Sequence, residues 1–185
     1  MSDLHNRGKA LEEKFFHDKE RKIVDALRTQ AGRENAREAI AKYTGIKDAS
    51  VIDGLVRHGI SLETFVAIYI IPMVLVAWAD GTIHEEQLEV MHNYLHQKNI
   101  KKGSAMFDLW TGWLKGRPTV ELEEAWMSFM KAYVTQLEHS ERQELKKAIL
   151  GLSEDVADSA GGLFGLMAIS AEEKEVMRRL DSVFG

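Results

Sequence analysis

The sequence predicts an all-α fold: a compact bundle of about eight or nine helices, preceded by a long polar N-terminal helix. Three observations predict it. Apolar residues recur at helical spacing, and no segment sustains the period-two alternation of a half-buried strand. Only 2 of the 185 residues are proline and 14 are glycine, so few breakers interrupt the chain. Three stretches have the S/T-x-x-E/Q form that opens helices: Thr82 to Glu85, Ser140 to Gln143 and Ser170 to Glu173. Hydrophobic residues make up 45% and charged residues 29% of the chain, the balance of a globular domain that folds without a staple.

Residues 1–31 read as a polar helix or arm, and residues 32–185 as the helical body. Between Asp3 and Arg28 seven basic and six acidic residues interleave, with Lys9 and Glu13, and Lys14 and Asp18, four apart and able to pair. Its apolar positions are sparse, so this helix must lie on the body or on a partner chain, with Phe15 and Phe16 as candidate contacts. Residues 33–44 form the next helix, closed by Gly45. Residues 48–58 follow, with Asp48 as N-cap and Gly59 as the stop. Residues 61–79 are apolar on all sides and read as a buried central helix capped by Ser61 and kinked at Pro72. Asp80-Gly81 breaks the chain before a helix that runs to about Lys98 with Leu88, Met91 and Leu95 on its core face. Helices over 104–115, 119–138 and 140–159 follow. An apolar glycine-rich loop over 160–169, with Leu163 and Phe164 as a candidate docking surface, leads to a last helix ending near Phe184. Trp110, Trp113 and Trp126 read as core.

Composition removes several classes of function. There is no cysteine, which excludes disulfides, thiolate metal sites and cysteine nucleophiles. The net charge of -5 argues against a general nucleic-acid binder. The longest apolar run, Phe65 to Ala79, has 15 residues where a spanning helix needs about 20, so no membrane span is expected. The first residues lack the apolar region of a secretory signal, and the expected location is the cytoplasm.

Two stretches of the chain echo each other. Ile83-His-Glu-Glu86-Gln-Leu-Glu89-Val90-Met91 aligns with Ile169-Ser-Ala-Glu172-Glu-Lys-Glu175-Val176-Met177 at an offset of 86 residues. Just before each lies a helix ending at glycine: Val76-Ala-Trp-Ala-Asp80-Gly81 and Val156-Ala-Asp-Ser-Ala160-Gly161. Each copy reads as helix, tight turn, buried isoleucine and acidic helix start. The stretch Ala-Trp-Ala-Asp80-Gly81-Thr-Ile83-His-Glu-Glu86 resembles the A-x-A-D-G-x-I-x-x-x-E signature of the TerB-like, tellurite-resistance helical proteins. The run from Gly161 to Glu173 resembles that family's second motif. The resemblance covers about residues 60–180. It implies a pseudo-symmetric all-helical fold, a role in stress response without a defined reaction, and an acidic patch able to hold a divalent metal. Asp80, Glu86 and Glu172 would belong to that patch. Gln87 and Ala160 depart from the pattern, since relatives carry acids there, and both weaken a metal reading. An acidic patch repels an oxyanion, so tellurite itself is not an expected ligand. Separately, Arg7-Gly-Lys-Ala-Leu-Glu-Glu-Lys-Phe-Phe-His-Asp18 resembles the opening of the inhibitory zeta subunit of bacterial F1-ATPases, which implies a regulator of an ATPase.

Other chemistry has weaker support in the residues. An EF-hand register through Gly81 places Val76, Trp78 and Gln87 where calcium requires oxygen donors, so the turn reads as a corner between helices. Glu85, Glu89, His92 and His96 fall on one helix face, a donor set that suits zinc or iron, but the second Glu-x-x-His of a di-iron bundle is missing. No phosphate-binding glycine loop and no serine elbow occurs. The sequence therefore favours a non-catalytic protein that binds a protein partner, with a homodimer as one form. A metal-binding protein using the His/Glu face and an ATPase regulator using the first helix are the alternatives.

Overall fold

The structure, a computed structural model, describes residues 30, 32–160 and 169–185. The expected N-terminal helix with Phe15 and Phe16, and Leu163 and Phe164 of the glycine-rich loop, lie outside the described residues. Eight helices and no strand occur among the described residues: α1 (32–44), α2 (Ala49–Arg57), α3 (Ala67–Ala77), α4 (Glu85–Gln97), α5 (Ala105–Leu114), α6 (Val120–Val134), α7 (His139–Ser159) and α8 (Ala171–Asp181). None of the described helices is long and apolar enough to cross a membrane.

Helix starts follow local chemistry. The Asp48 side chain accepts from Ser50 N at 2.9 Å and opens α2, as its sequence position predicts. Gly59, at φ +83°, ends that segment in a conformation open to glycine at little cost. α2 then packs on α6, and Gly54 lets the two backbones approach: a Cβ at Gly54 would lie 3.1 Å from the Cβ of Ala125.

α3 is the axis of the body. Ten of its residues are buried, and it packs against α4, α5, α6, α7 and α8, which is why its sequence lacks a polar face. It begins later than the apolar run predicts. Residues 62–66 form turns instead, with short-range bonds such as Ala67 N to Thr64 O at 2.9 Å. Thr64, not Ser61, provides the side-chain bonds at this entry. Its hydroxyl accepts from Ser61 N at 2.9 Å and donates to Gly59 O at 3.0 Å.

Pro72 lies inside α3 as expected. A proline has no N–H, so the carbonyl four residues back, that of Ile68, loses its helical donor. The indole N–H of Trp126 on α6 fills that vacancy, donating to Ile68 O at 2.8 Å. Both ends of this contact are buried, and Trp126 is 0% exposed. A second indole does similar work between segments: Trp78 Nε1 donates to Trp113 O at 2.9 Å.

Two of the three expected capping boxes are displaced. α4 is capped at His84 with Gln87 at its third position, not at Thr82 with Glu85. α7 is capped at Glu138, whose N–H donates to Glu141 Oε2 at 2.9 Å, not at Ser140 with Gln143. In both, the glutamine or glutamate that reaches back lies three residues beyond an extended residue the S/T pattern does not recognise. Ser170 with Glu173 stands as expected.

Candidate functional site

The described parts of the two echoing segments each open a helix, α4 and α8, and the two helix starts meet. α3 ends at Ala77, and Trp78 to Asp80 complete a turn closed by Gly81, at φ +95°, whose N–H bonds to Trp78 O at 3.0 Å. Asp80 serves this turn. Its Oδ1 accepts from Thr82 N at 2.9 Å, and its Oδ2 lies 3.3 Å from His84 Nε2. The Thr82 N–H first, and His84 second, hold the Asp80 carboxyl below the usual carboxylate range.

His84 then caps α4, and its backbone N–H donates to Gln87 Oε1 at 3.0 Å. Gln87 is 1% exposed, and its Nε2 donates to Glu173 Oε1 at 2.9 Å. Glu173 is 5% exposed. Its Oε2 accepts from Ser170 N at 2.8 Å, and its own N–H donates to Ser170 Oγ at 3.1 Å. Gln87 and Glu173 are equivalent positions of the sequence echo, each the third residue of its helix. A direct bond between equivalent residues is what a two-fold relation between the copies produces.

This contact explains a departure that the sequence leaves open. With an acid at both positions, two carboxylates would face each other in a buried place. The amide of Gln87 instead gives the carboxylate of Glu173 a neutral donor. The helix N-terminus and two N–H donors, Ser170 N and Gln87 Nε2, account for the buried charge. The signal for the pair was present in the sequence, since the offset of 86 aligns the two residues. What was missing was the knowledge that equivalent positions touch.

The structure distributes the expected site residues around this lock. Asp80, Glu85 and Glu86 at the first corner are exposed, as is Glu172 at the second. Glu89, His92 and His96 are exposed along α4. The His92 ring does not turn toward another ligand-type side chain. It packs edge-on against Trp110 with centroids 4.6 Å apart. Trp110 is core, 1% exposed, and its indole nitrogen has no partner among the described residues. Among the described residues no three His, Asp or Glu side chains come together in a way that would hold a metal ion. Neither the Asp80, Glu86, Glu172 set nor the Glu85, Glu89, His92, His96 set therefore forms a ready-made metal centre.

The arrangement offers a rigid corner whose inward polar groups satisfy one another and whose outward carboxylates meet solvent. No family model, no curated protein and no solved structure matches this chain.

Proposed function

We propose that this chain is a non-catalytic, TerB-like binding module that acts in a stress response of the tellurite-resistance type. Its recognition element is the acidic face of the paired corners, with Asp80, Glu86 and Glu172 directed at a protein partner. The observation that carries the reading is the Gln87–Glu173 bond. It joins the two copies of the motif on which the family resemblance rests, and it leaves their exposed carboxylates, not their buried groups, for recognition. His84 and Asp80 are engaged with each other and with the turn, so the corner does not present a nucleophile beside a base.

The test places a photo-crosslinking residue at position 86 or 172 in cells that make the protein, with position 147 as the control. A discrete partner captured at 86 and 172 but not at 147, and lost in Asp80→Asn/Glu86→Gln, supports the reading. Equal capture at all three positions overturns it. Calorimetric titration of the metal-stripped protein with Zn(II) and Fe(II) runs beside it. Stoichiometric binding lost in His92→Ala would replace the reading with a metal carrier built on the α4 face.

A further inference from the structure

The chain contains two Asp-Gly pairs, Asp53-Gly54 and Asp80-Gly81, and no Asn-Gly pair. An aspartate before glycine carries a latent backbone reaction. Glycine has no Cβ, so its amide nitrogen can approach the preceding side chain unhindered. The fold places the two pairs in opposite settings.

Asp53-Gly54 lies inside α2. Asp53 is half-buried, and its Oδ1 accepts from Arg37 Nε. Gly54 sits against α6, where an added Cβ would stand 3.1 Å from that of Ala125. Closing a ring onto the Gly54 nitrogen needs rotation about the Cα–C bond of Asp53. The helical backbone and this packing prevent that rotation while α2 stands.

Asp80-Gly81 lies at the corner between α3 and α4. Both residues are exposed, and an added Cβ at Gly81 would meet no heavy atom within 4 Å. Three surface contacts restrain the reacting groups. Gly81 N donates to Trp78 O at 3.0 Å, Thr82 N donates to Asp80 Oδ1 at 2.9 Å, and His84 Nε2 stands 3.3 Å from Asp80 Oδ2. The first occupies the N–H of the attacking nitrogen. The other two, Thr82 above all, favour the carboxylate over the protonated acid, which is the electrophilic form. Bonds at an exposed turn break in local fluctuations that leave the body folded.

We propose that Asp80-Gly81 is a site of spontaneous backbone isomerisation, controlled by opening of the corner, and that Asp53-Gly54 in the folded chain is not. The Gly81 amide nitrogen attacks Cγ of the protonated Asp80 carboxyl. A Cγ–N bond forms, and the carboxyl hydroxyl leaves as water with the amide proton, giving a five-membered succinimide. Water then opens the ring. Attack at Cγ restores aspartate. Attack at the main-chain carbonyl of Asp80 breaks its bond to the Gly81 nitrogen and gives isoaspartate. The water released in the first step is balanced by the water consumed in the second, so no other reactant is needed. The product keeps one carboxylate and adds a methylene to the main chain between α3 and α4. The carbonyl that accepted from Thr82 N becomes part of the backbone, so the turn loses that bond. A change in partner recognition by the acidic face is a consequence that rests on the proposed function; the chemistry does not.

The test ages the full chain at mildly acidic pH, folded and in urea, and maps isoaspartate in its peptides by isoaspartate-specific enzymatic methylation and mass spectrometry. The expected result for the folded chain is isoaspartate at position 80 at least tenfold above that at position 53. In urea both positions should react, with position 80 at least fivefold faster than in the folded chain. Asp80→Glu keeps the acid but would have to close a six-membered ring, so the signal at 80 should vanish while that at 53 is unchanged. His84→Ala should raise the folded-state rate at 80 several-fold. The comparison of 53 with 80 inside the parent chain needs no variant to fold. Equal accumulation at 53 and 80 in the folded chain overturns the proposal. So does a rate at 80 that urea leaves unchanged, because the corner then exerts no control. Absence of isoaspartate at 80 in the folded chain, once the urea sample has reacted fully, overturns it as well.

Discussion

Trp126→Phe should destabilise the protein by about 2–4 kcal/mol, and most of that cost should disappear when Pro72 is also replaced. The indole of Trp126 is fully buried and donates to the Ile68 carbonyl, whose helical donor Pro72 removes. Phenylalanine keeps most of the packing. The smaller ring leaves a void of roughly 40 Å³, worth about 1 kcal/mol at the cavity coefficient measured in protein cores. It also leaves a buried carbonyl without a donor, a cost of about 1–3 kcal/mol. Pro72→Ala restores a backbone N–H four residues beyond Ile68. In that background Trp126→Phe should cost only the packing part, so the double-mutant cycle should give a coupling of about 1–3 kcal/mol, the carbonyl part of the cost. The assay is urea unfolding followed by circular dichroism, because removing a tryptophan alters fluorescence. Midpoints at unchanged m-value give the four stabilities. An equal cost of Trp126→Phe with and without Pro72, within about 0.5 kcal/mol, would refute the reasoning.

Further outcomes follow from other contacts in the body. Gly54→Val should cost about 1–3 kcal/mol because its Cβ meets Ala125 at 3.1 Å, whereas Gly151→Ala, in open space inside α7, should gain about 0.5–1 kcal/mol; thermal melts read both. Glu173→Gln offers one oxygen to the two donors Ser170 N and Gln87 Nε2 and should cost about 1–3 kcal/mol. Gln87→Glu should destabilise at pH 7 through like-charge contact, with a loss that shrinks toward about pH 4 as the pair takes up a proton; a flat pH profile of the difference would count against a direct contact. The Asp80 carboxyl is held low chiefly by the Thr82 N–H, and those of Asp48, Glu121 and Glu175 chiefly by Ser50, Thr119 and Arg178. A depressed carboxylate contributes stability above its unfolded value of about 4 and loses it as pH falls further, so calorimetric stability should drop below about pH 4, less steeply in Asp80→Asn.

The helical class and the order of its elements were legible because each rests on local signals. Asp48 and Ser170 cap their helices where the pattern of polar before apolar residues places them. Gly45, Gly59 and Gly103 take positive φ where the sequence ends a segment. The failures are of two kinds. At α4 and α7 the capping residue is His84 or Glu138, and a reach-back from Gln87 or Glu141 does the work that an S/T pattern assigns to another residue. At the entry of α3, apolar composition cannot distinguish a helix from buried turns, and Thr64 settles the matter through bonds to Ser61 and Gly59. Of the candidate site, the corner at Asp80 and the exposure of the α4 face were readable from spacing. The Trp126–Ile68 and Gln87–Glu173 bonds span 58 and 86 residues and have no local pattern.

Those two long-range bonds share a logic that bears on function. In each, one residue creates a polar deficit that only a distant residue can fill: Pro72 orphans a carbonyl, and burial of Glu173 strands a carboxylate. The partners, Trp126 and Gln87, are neutral donors, so the deficits are met without a cation. A divalent ion at the corners would call for carboxylates in place of that amide. The glutamine instead gives the two copies a self-sufficient joint, and the joint leaves the acidic residues facing outward. A joint that closes on itself in this way directs the search for a protein partner to the outward carboxylates of Asp80, Glu86 and Glu172.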